Sequence, residues 1–234
     1  MTVSYINQDI YPLEFGMHRK YAPAPLLLDL VWTHCNIVCD VALQLFDRDS
    51  FDKSGLERAL VVQACLLHDL GVYLCGGFEW IPDITPRGCL YAHHTLIGAW
   101  ILQQEQFHPL VVQGSYAHAG VGLTTEDIRQ FGLQLPEADY RPQNKMATFI
   151  AYVSKFHSKA PHFKNNQQVK EALAKYGEQK VRTFEEWELQ FGMPDLAPLE
   201  EKYKEWHERM ASQIDQLNTQ QVNQVNLSSA GVSH

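Results

Sequence analysis

The sequence predicts an all-α protein: a helical bundle followed by a C-terminal helical extension. Three observations carry that prediction. Apolar residues return at three- and four-residue steps in one segment after another, which is the period of a helix face. Turns containing glycine and proline separate these segments. No stretch alternates apolar and polar residues as a half-buried strand would.

Residues 1–25, punctuated by Pro12, Pro23 and Pro25, read as an irregular N-terminal segment. From Leu26 to Phe46, the residues Leu27, Leu30, Val31, His34, Val38, Val41 and Leu45 fall on one helical face. After a turn, Ser54 and Glu57 have the capping-box spacing ahead of LERALVVQACLLHDLG, a buried helix ending at Gly71. The stretch from Val72 to Ala92 includes CGGFEWIPDITPRGCLY, too broken for a long helix and long enough for a functional loop or lid. Four helices follow, at about His94–Gln104, Pro109–His118, Thr124–Phe131 and Lys145–His157. Residues 161–217 hold two amphipathic helices, QQVKEALAKYGEQ and VRTFEEWELQFG, and a longer surface helix, LEEKYKEWHERMASQIDQL, all read as scaffold. The polar residues 218–234 read as a disordered or weakly docked tail, and no internal repeat is present.

With 234 residues, 45% of them hydrophobic, the chain can bury one good-sized core. The net charge of -8 repels polyanions, which argues against extended nucleic acid but leaves room for a local basic pocket that takes one small phosphate. The first twenty residues mix acidic and basic side chains around no apolar core, so no secretion signal is expected. The most apolar stretches, LLLDLVW and ALVVQACLL, fall short of the roughly 20 residues that a membrane span requires. Five cysteines, Cys35, Cys39, Cys65, Cys75 and Cys89, form no CxxC pair and read as reduced thiols in a cytoplasmic protein.

The chemistry centres on His68 and Asp69. Neighbours on a helix point about 100° apart, so these two converge on one ion only where the helix ends, and Gly71 ends it. A buried imidazole and carboxylate are costly unless paired or metal-bound. The sequence supplies His34 on the preceding helix, His94 at the start of another and His118 at the close of a fourth. Any one of them alone would read as an ordinary hydrogen-bonded histidine. Imidazole and carboxylate together suit one or two divalent transition-metal ions, Fe, Mn, Zn, Co or Ni, better than Ca or Mg.

His34, then His68-Asp69 in LLHDLG, then His94 in HHTLIGAWIL and His118 in YAHAGVGLT resemble the HD superfamily in order, type and spacing, most closely its HDIG-like phosphohydrolase branch. The resemblance covers roughly residues 26–160 and implies an HD-domain helical bundle there, with the downstream segment KYGEQKVRTFEEWELQFG as a family-specific helical extension. It implies that His34, His68 and Asp69 hold one metal, and that Asp69 bridges to a second held by His94 and His118. It further implies hydrolysis of phosphate esters by a metal-activated hydroxide. One position departs from the family: where an Asp before a Lys completes the site, AYVSKFHSK places Ser154 before Lys155. A neutral hydroxyl is a poor ligand for a divalent ion.

Three further residues are candidates. Arg87 is placed to bind a substrate phosphate with its planar fork, with Lys155 as a point charge beside it and in the catalytic set with Asp69. His93 is a candidate acid or base. An ordinary solvated charge, or an exposed histidine at a helix start, is the alternative for each. Phe78 and Trp80 would stack on a base, cover the site or anchor their loop. The expected function is a metal-dependent phosphohydrolase acting on a small phosphorylated substrate such as a nucleotide. The alternatives are a catalytically degenerate HD domain serving as a metal- or nucleotide-binding regulatory module, motivated by Ser154, and an HD scaffold with two irons for oxygen-dependent cleavage.

Overall fold

A computed structural model describes residues 4–82, 84 and 89–230, with side chains to residue 219. Among these residues the chain forms α1 (Pro12–Tyr21), α2 (Pro25–Phe46), α3 (Arg58–Leu67), α4 (His94–Gln104), α5 (Pro109–Tyr116), α6 (Thr125–Gln130), α7 (Lys145–Val153), α8 (Asn166–Ala174), α9 (Glu178–Phe191) and α10 (Ala197–Ala230). Short 3-10 turns occupy Leu70–Leu74, Tyr91–His93 and Ser154–Phe156, and the described residues form no β-strand. The protein is all-α, as its periodicity predicts.

The bundle is organised around α2. Pro25 opens this helix at a position where a missing N–H costs nothing. Val31, Trp32, Cys35, Ile37, Val38, Val41 and Leu45 are fully enclosed, and a helix that is apolar all round must be covered all round. Helices α1, α3, α7 and α10 cover it. By length and composition α2 is apolar enough to cross a bilayer, which corrects the expectation that no stretch suffices; here it is buried along most of its length as the core helix. α10 is fastened to α2 at two acids. Asp29 accepts from Trp206 Nε1 at 3.1 Å and pairs with Arg209 at 2.8 Å, while Asp40 receives Lys202 and the Tyr203 hydroxyl, both at 2.6 Å. Partly exposed pairs of this kind contribute about 0–1 kcal/mol each, so the enclosed Tyr203 and Met210 carry most of the anchoring.

A backbone contact sets the second layer. α4 lies against the turn Leu70–Leu74 and against α5. A Cβ built on Gly71 would fall 2.0 Å from the His94 carbonyl oxygen, and one on Gly98 would fall 2.4 Å from Ser115 Oγ. Because neither glycine has a side chain, the segment carrying His68 and Asp69 touches the helix carrying His94.

Four local expectations differ from the structure. Gly55, at φ +72°, turns the chain between Ser54 and Glu57, so no capping box forms there and α3 starts at Arg58 without a side-chain cap. Capping boxes occur instead at Thr124–Asp127 and Asn165–Gln168. The N-terminal segment contains the ten-residue α1, because Pro12 sits at the first helical position, where it is tolerated. α10 stays helical to Ala230, past residue 218, since neither glycine nor proline interrupts the chain between Pro198 and Gly231. Finally, α7 ends at Val153, tightens into the 3-10 turn Ser154–Phe156, and gives way to an extended His157.

Candidate metal centre

The site forms where α3 stops. His68 is the C-cap of that helix, and Asp69 leaves helical geometry at φ -101°, ψ 13°, so two adjacent side chains turn toward one point. Both are completely buried. His68 Nδ1 donates to the Cys65 carbonyl at 2.7 Å, His94 Nδ1 to the Tyr91 carbonyl at 2.6 Å, and His118 Nδ1 to the Ser115 carbonyl at 2.7 Å. A carbonyl oxygen only accepts, so each ring carries its proton on Nδ1 and presents a bare Nε2 inward. His34 is held from behind by His157, Nδ1 to Nδ1 at 2.9 Å, and His157 in turn contacts His207 of α10 at 3.1 Å.

The inward nitrogens gather on the two oxygens of Asp69. Oδ2 lies 3.0 Å from His34 Nε2 and 3.3 Å from His68 Nε2, and those two nitrogens are 3.3 Å apart. Oδ1 lies 3.5 Å from His94 Nε2 and 3.3 Å from His118 Nε2, which are 3.1 Å apart. With both protons on Nδ1, the contact between His94 and His118 sets one lone pair against another. Proton uptake does not relieve it: burial pushes His34 and His118 down to about 3 and His94 to about 4. Donors about 2.0–2.2 Å from a shared ion stand roughly 2.8–3.6 Å apart in octahedral or tetrahedral arrays. The observed spacings lie in that range. His34, His68 and Asp69 form one group able to hold a metal ion, and Asp69, His94 and His118 a second.

Lys159, which the sequence reading did not single out, forms an ion pair with Asp69 Oδ2. Burial alone would raise the Asp69 carboxyl, but the Lys159 ammonium beside it holds it well below the carboxylate range. The group therefore stays ionised at neutral pH.

A cavity of about 390 Å³ opens over the cluster. Lys155, Lys159, Lys164 and Lys180 line it, a local excess of positive charge in a chain of net charge -8. Its apolar wall includes Phe131, Leu133, Leu173 and Tyr176. Lys155 borders this space: its ammonium donates to the His118 carbonyl at 2.8 Å, and burial lowers it to about 7. Ser154 also borders the cavity, but its hydroxyl donates to the Ala151 carbonyl at 3.0 Å, within its own helix end.

His93 does not join the lining. Its Nδ1 donates to the Leu90 carbonyl at 3.2 Å, because the 3-10 turn that aims His94 inward aims its neighbour elsewhere. Phe78 packs 6.0 Å from Tyr91 and 6.5 Å from Trp80, anchoring the loop beside the site and not lining the cavity. Arg87 lies outside the described residues.

No protein-family model matches the chain. A curated relative, the tRNA (cytidine(56)-2'-O)-methyltransferase of Picrophilus torridus, is 26% identical over 154 residues, 62% of this chain. The match spans 39% of that relative's length. Two solved structures are similar, both of the HD domain of the L. monocytogenes phosphodiesterase PgpH. The first is 16% identical, with a TM-score of 0.42 over 75% of this chain and 94% of its own. The second, in complex with cyclic-di-AMP, is 15% identical, with a TM-score of 0.45 over 81% and 96%.

Proposed function

We propose that the protein is a metal-dependent phosphohydrolase of the HD type, acting on a small phosphorylated substrate such as a nucleotide. One observation carries the reading: a single buried carboxylate is shared by two pairs of imidazoles, three of them with the proton held outward by a backbone carbonyl, beside a cavity lined by lysines. Divalent ions in such a centre supply Lewis-acid polarisation of a phosphoryl oxygen and a water acidified toward neutrality.

The chain's own residues supply the rest. Asp69, ionised, gives one oxygen to each group. His34, His94 and His118 are neutral at pH 7, so metal binding displaces no proton from them. Backbone carbonyls of Cys65, Tyr91 and Ser115 fix three of the rings by holding the outward N–H, the support that keeps ligating imidazoles in register. Lys155 and Lys164 border the same space and would draw a phosphate toward Asp69 as point charges. Phe131 and Tyr176, with ring centroids 5.4 Å apart, offer an aromatic surface for the remainder of the substrate.

Phosphate release from a panel of nucleotides and other small phosphate esters, with each of Mn2+, Fe2+, Co2+, Ni2+ and Zn2+, tests the reading. Turnover that tracks metal content and vanishes in Asp69→Ala supports it; turnover retained in Asp69→Ala refutes it. A second reading, a regulatory module that binds its ligand without turnover, is favoured by Ser154, whose hydroxyl is committed to Ala151 where the family has a carboxylate. Ligand binding without phosphate release in every metal would select it.

A further inference from the structure

We infer that Lys159 is a tethered cation that occupies the His34–His68–Asp69 group until a divalent ion displaces it, and that the released ammonium then faces the cavity as a phosphate anchor. The inference rests on the metal-centre reading above.

Position is the first argument. Lys159 pairs with Oδ2 of Asp69, the oxygen that faces His34 and His68, whereas Oδ1 faces His94 and His118. One half of the cluster therefore already holds a positive charge, and the other is served by imidazoles alone. Charge is the second. The Asp69 carboxylate and the Lys159 ammonium sum to zero. A divalent ion added to the same group would sit beside an ammonium with no second carboxylate to offset it, since Asp69 is the one acid in either group among the described residues. Like charges at contact distance in a poorly solvated site repel strongly, so the ion and the ammonium exclude one another.

The tether allows the exchange. Lys159 comes from the irregular segment after the extended His157, not from a helix, and its side chain is 17% exposed on the cavity side. It also lies over the Tyr91 ring, 5.5 Å from the centroid, and Tyr91 stacks on His94. A lysine that leaves Asp69 thus remains among cavity-lining groups, next to Lys155 and Lys164.

Calorimetric titration of the metal-free full chain with Mn2+ alone, together with its thermal midpoint, tests this in wild type, Lys159→Met and Lys159→Arg. Lys159→Met should bind Mn2+ at least tenfold tighter and should unfold at a lower temperature without metal, since Asp69 loses its partner; Lys159→Arg should keep both wild-type values. Paired variants locate the effect. Lys159→Met should tighten binding in a His118→Gln background, where the first group is intact, but not in His34→Gln, where it is not. Wild-type binding of Mn2+ that Lys159→Met leaves equal or weaker overturns the inference while the metal reading stands. Absence of Mn2+ binding from wild type and Lys159→Met alike overturns the metal reading and the inference together.

Discussion

Replacing Gly71 by alanine tests whether the touching backbones of the Leu70–Leu74 turn and α4 set the geometry of the second ligand group. The new Cβ would lie 2.0 Å from the His94 carbonyl oxygen and 2.4 Å from Gly98 N. An ordinary carbon–oxygen approach is about 3.3 Å, so α4 must retreat by about 1.3 Å, and both obstructing atoms are backbone. His94 Nε2 now stands 3.5 Å from Asp69 Oδ1. Adding that retreat brings the pair to about 4.8 Å, beyond the roughly 4.2 Å that two ligands on opposite sides of one ion at ~2.1 Å can span. Gly71→Ala should therefore lose binding at the His94–His118 group and retain it at the His34–His68 group. Overpacking should also cost about 1–3 kcal/mol of stability. Metal titration of Gly71→Ala against wild type, with urea unfolding of both, reads these effects. Unchanged stoichiometry and unchanged stability would show that α4 is not positioned by this contact.

Other expectations follow from the same geometry. Ser154→Asp places an anion at the end of α7 and should strengthen metal binding by about tenfold or more, measured by competition with a chelating dye; weaker binding would show that the Ser154 position does not face the ions. Saturating metal at about 100 times its dissociation constant should stabilise wild type by about 2.7 kcal/mol per site, and Asp69→Ala should show no such gain in thermal midpoint. His18 provides a pH test at a residue outside the candidate ligand set. It is buried, contacts the Tyr73 hydroxyl at 2.6 Å and the Leu66 carbonyl at 2.7 Å, and burial lowers it from 6.5 to about 4. The unfolded chain thus binds a proton that the folded chain refuses. The stability held above pH 6.5 is lost as pH falls toward 4, by about 3 kcal/mol in full. His18→Gln should remove about one proton from the pH dependence of urea unfolding between pH 7 and 4.5; an unaltered slope would refute the assignment.

The five candidate ligands were legible in the sequence because their signal is local in kind. His68-Asp69 ahead of Gly71 requires a helix end, His34 and His94 lie on α2 and α4, and His118 follows just after the end of α5. The structure brings all five together. Lys159 and His157 were hidden by a break in regularity: Lys145–His157 reads as one helix, whereas the chain tightens after Val153 and extends at His157, turning Lys159 back onto Asp69. The extension read as scaffold sends His207 to His157, 50 residues away, Lys180 to Asp127, 53 residues away, and Tyr176 to the cavity, contacts too distant in sequence to leave a spacing pattern. The Ser54–Glu57 box failed for a simpler reason, since Gly55 would be the first helical residue after a Ser54 cap and instead takes a positive φ outside the helical region.

Anomalous diffraction from crystals soaked in Mn2+ tests the central claim most directly. The account predicts a peak about 2.2 Å from Asp69 Oδ1 and from the Nε2 atoms of His94 and His118, with a second peak beside Oδ2, His34 and His68 once Lys159 has moved away. Mn2+ bound elsewhere on the protein, with no peak within coordination distance of Asp69, would contradict it.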